Sequence, residues 1–169
     1  MFNFLQPMKF RIENLSSKKL IGKHLSMSFA ENRTAQLWKS FMTSRGEIRN
    51  RLNNDLISMQ VFDATFSFQQ FNPHATFQKW AAAEVSDFDI VPDGFDSFIL
   101  TEGMYAVFNY VGDATKAADS FMYIFGTWLP NSNYELDNRP HFELLGDKYK
   151  NNDPASEEEI WIPIRNKPI

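Results

Sequence analysis

The sequence has no cysteine among its 169 residues. That absence excludes a disulfide framework, a thiol nucleophile and any Cys-based metal site together. Glycine is scarce, at 7 residues, and no Gly-rich phosphate loop, GxSxG elbow or dinucleotide fingerprint occurs. The three histidines, His24, His74 and His141, are scattered and lack a ligand spacing such as HExxH. No metal, no cofactor and no catalytic constellation is therefore expected. No apolar run approaches the roughly 20 residues that span a bilayer. The start, Met1 to Pro7, has neither the basic region nor the apolar stretch of a signal peptide, so a cytoplasmic protein off the membrane is expected.

Aromatic residues are abundant instead, with 17 Phe and 4 Trp, and 43% of the chain is hydrophobic. A chain of this length buries a real core, as one domain or two closely packed halves. The aromatics exceed what a core strictly needs, which suits an aromatic-lined pocket. Charge is uneven: residues 1–85 carry 11 Lys and Arg against 6 Asp and Glu, and residues 86–169 carry 6 against 15. The basic half has one tight group, Arg45, Arg49 and Arg51, expected late in a helix where cations complement the dipole. No recognition motif accompanies it, so direct nucleic-acid binding is not expected. The acidic half favours cationic ligands.

Along the chain, Lys19 to Met27 alternates like a strand. A helix is expected from about Asn32, its N-cap, with Leu37, Trp38, Phe41 and Met42 on one face. Strands follow at Leu56 to Phe62 and roughly Ala75 to Val85, and Asp87 to Gly94 reads as the connector between halves. The order then repeats. Gly103 to Gly112 reads as a strand, and Asp113 can cap a helix with the stripe Ala114, Ala117, Ala118, Phe121, Met122, Phe125 and Trp128. Strands are expected near His141 to Leu145 and from about Glu158 to Ile164. Ser40-Phe41-Met42 recurs as Ser120-Phe121-Met122. The expected fold is α+β: two pseudo-symmetric β-α-β-β units packed side by side, helices on one face, with a ligand cleft between the halves.

Several of these segments, in this order, carry a resemblance. Gly103-Met104-Tyr105-Ala106-Val107-Phe108 through Gly112, then Trp128-Leu129-Pro130 and Asn133-Tyr134-Glu135-Leu136, resemble the second half of the GyrI-like, or AraC-type, effector-binding family. Arg139-Pro140-His141-Phe142-Glu143-Leu144 and Glu159-Ile160-Trp161-Ile162-Pro163-Ile164 continue it. The first half is similar more weakly, through Ile21-Gly22, the Trp38 helix and Val91-Pro92-Asp93-Gly94. The resemblance implies an effector-binding domain over residues 8–165, in halves of about 8–94 and 95–165, with a leader at 1–7 and a tail at 166–169. It also implies a standalone member without a helix-turn-helix module, as in gyrase-modulating proteins and some proteins encoded on mobile gene cassettes. Family members bind small organic molecules, often lipophilic cations, in a cleft lined by an acid and aromatic rings.

On this basis Glu143 is the leading ligand-binding candidate, since the resemblance aligns it with the family's pocket acid. Alternation puts Phe142 and Leu144 on one face, expected beneath the helix, and His141, Glu143 and Leu145 on the other. In the last strand Ile160, Ile162 and Ile164 form the better core set, which aims Trp161 at the cleft, with Glu159 beside it. Trp80 and Glu84 stand at the corresponding strand of the first half, suggesting a cage that holds a cation by ring faces and charge. Tyr105 matches a tyrosine common in the family. Trp38, Trp128, Phe41 and Phe121 read as core. The function expected is binding of small amphipathic, cationic organic molecules as a sensor or sequestering protein. Two alternatives stay open: a hydrolase of strained electrophiles of the cyclopropane type, and a protein-interaction modulator, such as of DNA gyrase. A protein partner or homodimer also stays open.

Overall fold

The structure is a computed structural model that describes residues 7–169. Apart from Pro7, the expected leader lies outside the described residues. Among these residues nine strands and two helices follow one another: β1 Phe10–Leu15, β2 Lys18–Met27, α1 Thr34–Ser44, β3 Leu56–Val61, β4 Phe77–Val85, β5 Asp96–Leu100, β6 Gly103–Val111, α2 Ala117–Tyr123, β7 Tyr134–Leu136, β8 His141–Leu145 and β9 Glu157–Asn166. A tight turn, Ala114–Lys116, leads into α2, which continues through a wide π turn, Ile124–Trp128, and a last turn, Leu129–Asn131. Every pairing is antiparallel, in the order β1-β6-β9-β8-β3-β4-β2-β5, with β7 paired to β9.

That order is symmetric about the β8–β3 seam. Each unit opens with a strand that pairs with the other unit: β1 lies against β6, and β5 against β2. Only Ser16 and Ser17 link β1 to β2, and only Thr101 and Glu102 link β5 to β6. Such links reach roughly 10 Å, whereas strands six places apart in a flat sheet lie on the order of 30 Å apart. The sheet must therefore curl until its edges approach. Its inner face becomes one core of Leu20, Met59, Trp80, Leu100, Tyr105, Val107, Phe142 and Trp161, all nearly excluded from solvent.

The helices pack outside the curl, each over its own half. From α1, Leu37 and Phe41 are buried against Ile21, Ala81, Ala83 and Val85. From α2, Ile124 and Trp128 meet Phe108, Ile160, Ile162 and Ile164. Full burial of side chains this large stabilises by about 2–3 kcal/mol each. Arg33, not the expected Asn32, stands at the N-cap of α1; Asn32 precedes it, its Oδ1 accepting from the Thr34 amide at 2.9 Å. Asp113 Oδ1 accepts likewise from the Thr115 amide, also at 2.9 Å. The repeated Ser-Phe-Met triplets pack alike only in part: Met42 and Met122 are both exposed, but Phe41 is fully buried while Phe121 stays half-buried. Along the second helix the buried positions are Ile124 and Trp128, within the π turn that continues α2. Because α1 ends at Ser44, Arg45 lies in the turn after it and Arg49 and Arg51 beyond that turn.

Candidate functional site

Because each helix covers only its own half, the outer face of the β3–β8 seam is left without a helix above it. The residues there are Leu56, Ser58 and Gln60 of β3, set directly opposite Leu145, Glu143 and His141 of β8. At one end the segment between β3 and β4 covers the seam. Its Phe68 ring stacks on Phe125 at 4.5 Å and on His141 at 5.4 Å. Phe62 meets the same imidazole edge-on at 5.1 Å. Full burial here pushes the His141 pKa down to about 3, so the ring is a neutral packing element. Phe125, on the helix stripe with Phe121, reaches this cluster from the π turn.

At the other end the seam opens into a cavity of about 720 Å³. Leu56, Ser58, Glu143 and Leu145 form its floor, and Glu158 of β9 joins them. Trp38 and Met42 of α1 make one wall, Ala117 and Phe121 of α2 the other, and Tyr149 stands at the rim. Lys39, Asp113 and the polar segment Lys150 to Asn152 also line it; apolar walls interrupted by polar groups fit the general design of small-molecule sites, and the volume suits a drug-sized molecule. Gln60 donates to Glu143 through Nε2 at 3.1 Å. Glu158 is pushed up to about 7, by burial first and by the Glu143 charge second, with Lys79 opposing. Among the described residues no group of three His, Asp or Glu side chains is placed to hold a metal ion.

The structure brings one of the sequence-selected residues, Glu143, to this cavity. The other five lie across the sheet, in or around the inner core. Trp80 and Trp161 are 4% and 8% exposed, too enclosed to offer a ring face to a ligand. Tyr105 is fully buried; its hydroxyl donates to the Pro140 carbonyl at 2.8 Å, and the Arg139 guanidinium lies 4.6 Å from its ring centre. Burial pushes that phenol up to about 12. Glu84 pairs with Lys18 at 3.1 Å. Glu159 accepts from Arg11 at 2.9 Å and from the Trp161 indole at 3.0 Å. The expected cage of one Trp and one acid from each half is thus not assembled at the cavity. The isoleucines of β9 are core, as expected, but core beneath α2, on the same face as Glu143. Phe142 and Leu144, expected beneath the helix, face the curl instead.

Sequence reasoning missed Trp38, Phe121, Tyr149 and Glu158. The first two stand on the helix stripes read as core, at the lateral edge that faces the gap. Glu158 sits in the run Glu157-Glu158-Glu159, which carries no signal of burial.

A profile described as Cass2, integron-associated effector binding protein, matches residues 11–164. No curated protein matches in sequence. Among solved structures, the EcmrR C-terminal domain aligns with a TM-score of 0.70 at 11% identity, over 96% of this chain and all of that one. The integron cassette protein VCH_CASS2, from the mobile metagenome of Vibrio cholerae, aligns with a TM-score of 0.65 at 12% identity, over 92% of this chain and 95% of that one. SAV2435, solved bound to tetraphenylphosphonium, aligns with a TM-score of 0.62 at 18% identity, over 94% of both chains. At such identities these likenesses concern the fold, and the profile carries the assignment. The chain belongs to the Cass2 family of integron-associated effector binding proteins.

Proposed function

We propose that the cavity over the β3–β8 seam binds amphipathic organic cations, with Glu143 supplying the charge selectivity, and that the domain serves as a sensor or sequestering protein. The observation that carries this reading is a single one: the Glu143 carboxylate on the floor of a drug-sized cavity with aromatic and aliphatic walls, with Glu158 beside it. A half-buried carboxylate loses hydration that one hydrogen bond from Gln60 restores only in part. A cationic ligand restores the rest, while Trp38 and Phe121 supply ring faces to its apolar body. The tetraphenylphosphonium bound to SAV2435 is a molecule of this class.

The test is a fluorescence titration, since Trp38 lies on the wall. Tetraphenylphosphonium is compared with triphenylphosphine oxide, a neutral aromatic of related shape. At an effective dielectric constant near 20, a charge pair about 5 Å apart contributes about 3 kcal/mol, part of which hydration of the free carboxylate offsets. Glu143→Gln is therefore expected to weaken the cation at least about tenfold and the neutral analogue far less. Equal losses for both would remove the charge-selectivity argument.

A further inference from the structure

The cavity holds a second acid, and its placement goes beyond the reading above. Glu143 pairs directly with Ile160 across β8 and β9, and Glu158 stands two residues along β9 on the same face. That makes the two carboxylates diagonal neighbours, with side-chain roots about 7 Å apart. Both line the cavity. Glu143 is held by Gln60, whereas Glu158 receives no hydrogen bond among the described residues. The charged and titratable groups around Glu158 come from every side. They are Glu143 on β8, Lys79 on β4, Tyr110 on β6, Tyr149 and Lys150 after β8, Asp113 before α2 and Lys39 on α1.

We propose that Glu143 and Glu158 form a two-point acceptor for ligands carrying two cationic centres, and that Glu158 releases its proton as the second centre arrives. The proposal rests on the cavity being a cation site. Two carboxylates at this spacing, in a partly dry cavity, repel one another and are poorly hydrated, so at neutral pH the pair retains a share of one proton, held chiefly on Glu158. A monocation leaves that proton in place, because Glu143 alone balances it. A dication replaces it: the Glu158 carboxyl loses H⁺ to solvent, no other bond is made or broken, and the carboxylate pairs with the ligand's second centre.

The experiment is isothermal titration calorimetry of the intact chain in two buffers of different ionisation enthalpy. The ligands are methyl viologen, a flat aromatic dication, and N-methyl-phenylpyridinium, of the same shape with one charge. The expected result for the dication is release of about half a proton at pH 7 and an affinity rising about tenfold from pH 6 to pH 8, as follows from a group titrating near 7. The monocation is expected to show neither. In Glu158→Gln the dication's proton release disappears, and its advantage over the monocation shrinks about tenfold. Methyl viologen binding without proton release, or a Glu158→Gln variant that weakens both ligands equally, would overturn this inference and leave the cation reading standing. Failure of both ligands to bind would overturn the two together. The buffer comparison uses the unmodified chain, so it does not depend on the variant folding.

Discussion

Glu158→Gln also changes stability, in a direction that depends on pH. In the folded chain the Glu158 carboxyl titrates near 7 against an ordinary value of 4.5, because burial and the Glu143 charge disfavour its ionised form. Between these two values the folded state holds a proton that the unfolded chain has already lost. Stability therefore falls as pH rises from about 4.5 to about 7 and levels off above. Each tenfold change in proton affinity is worth about 1.4 kcal/mol, so the full displacement corresponds to about 3 kcal/mol. The cavity admits solvent, which screens both carboxylates, and about half of that, near 1.5 kcal/mol, is the expected effect. Glutamine keeps the shape of the protonated acid and cannot ionise. Urea denaturation should find the variant and the parent equally stable at pH 4.5. At pH 8 the variant should be more stable by about 1.5 kcal/mol, or about 3–6 °C in Tm for a chain of this size. Parallel pH profiles for the two proteins would refute the argument. Such a result would mean that Glu158 is hydrated in the folded state as it is in the unfolded chain.

Trp38→Phe should abolish most of the quenching by tetraphenylphosphonium, while Trp161→Phe, altered on the inner face, should leave the quenching amplitude and the affinity within about twofold. The opposite pattern, read by the same titration, would move the site to the inside of the curl. Gly22→Ala should destabilise by about 2–3 kcal/mol in a denaturant melt. Its added Cβ would sit 2.3 Å from the Ala81 carbonyl oxygen, a backbone atom of the neighbouring strand, which can yield only if β2 and β4 part. An unchanged midpoint would show that this close approach carries no strain.

The elements most legible in the sequence were those whose periodicity is their own. The strands His141 to Leu145 and Gly103 to Val111 stand within a residue of expectation, and the turn leading into α2 carries the Asp113 side-chain cap read for it, while α1 begins one residue later than a cap at Asn32 would place it. β1, β5 and β7 escaped because they are short, three to six residues, and owe their strand character to partners far along the chain. The segment 63–74, left without an element between the strands expected to end at Phe62 and to begin near Ala75, nonetheless packs Phe66 and Phe68 into a cluster that covers one end of the seam. Its order comes from tertiary contacts, to which a test for periodicity is blind.

The site was half legible for a related reason. Alternation along β8 separates Glu143 from Phe142 and Leu144 correctly, but it cannot say which set looks outward when both faces of a sheet are buried. Two-residue links between strands at opposite edges force the curl, and the curl commits the inner face to packing. Trp80, Trp161 and Tyr105 were drawn into that interior, where a ring stabilises the fold and has no access to a ligand. In the function proposed above, binding falls to the outer face, at the seam that neither helix covers. The run Glu157-Glu158-Glu159 shows how finely this decides. Glu157 reaches Lys148 at 3.5 Å, and Glu159 is held by Arg11 and the Trp161 indole. Between them, Glu158 alone looks into the cavity beside Glu143. Three identical side chains in succession thus meet a surface ion pair, a bridge at the rim of the inner core and a partly dry cavity. The register of β9 against β6 and β8 makes the assignment, and composition has no part in it.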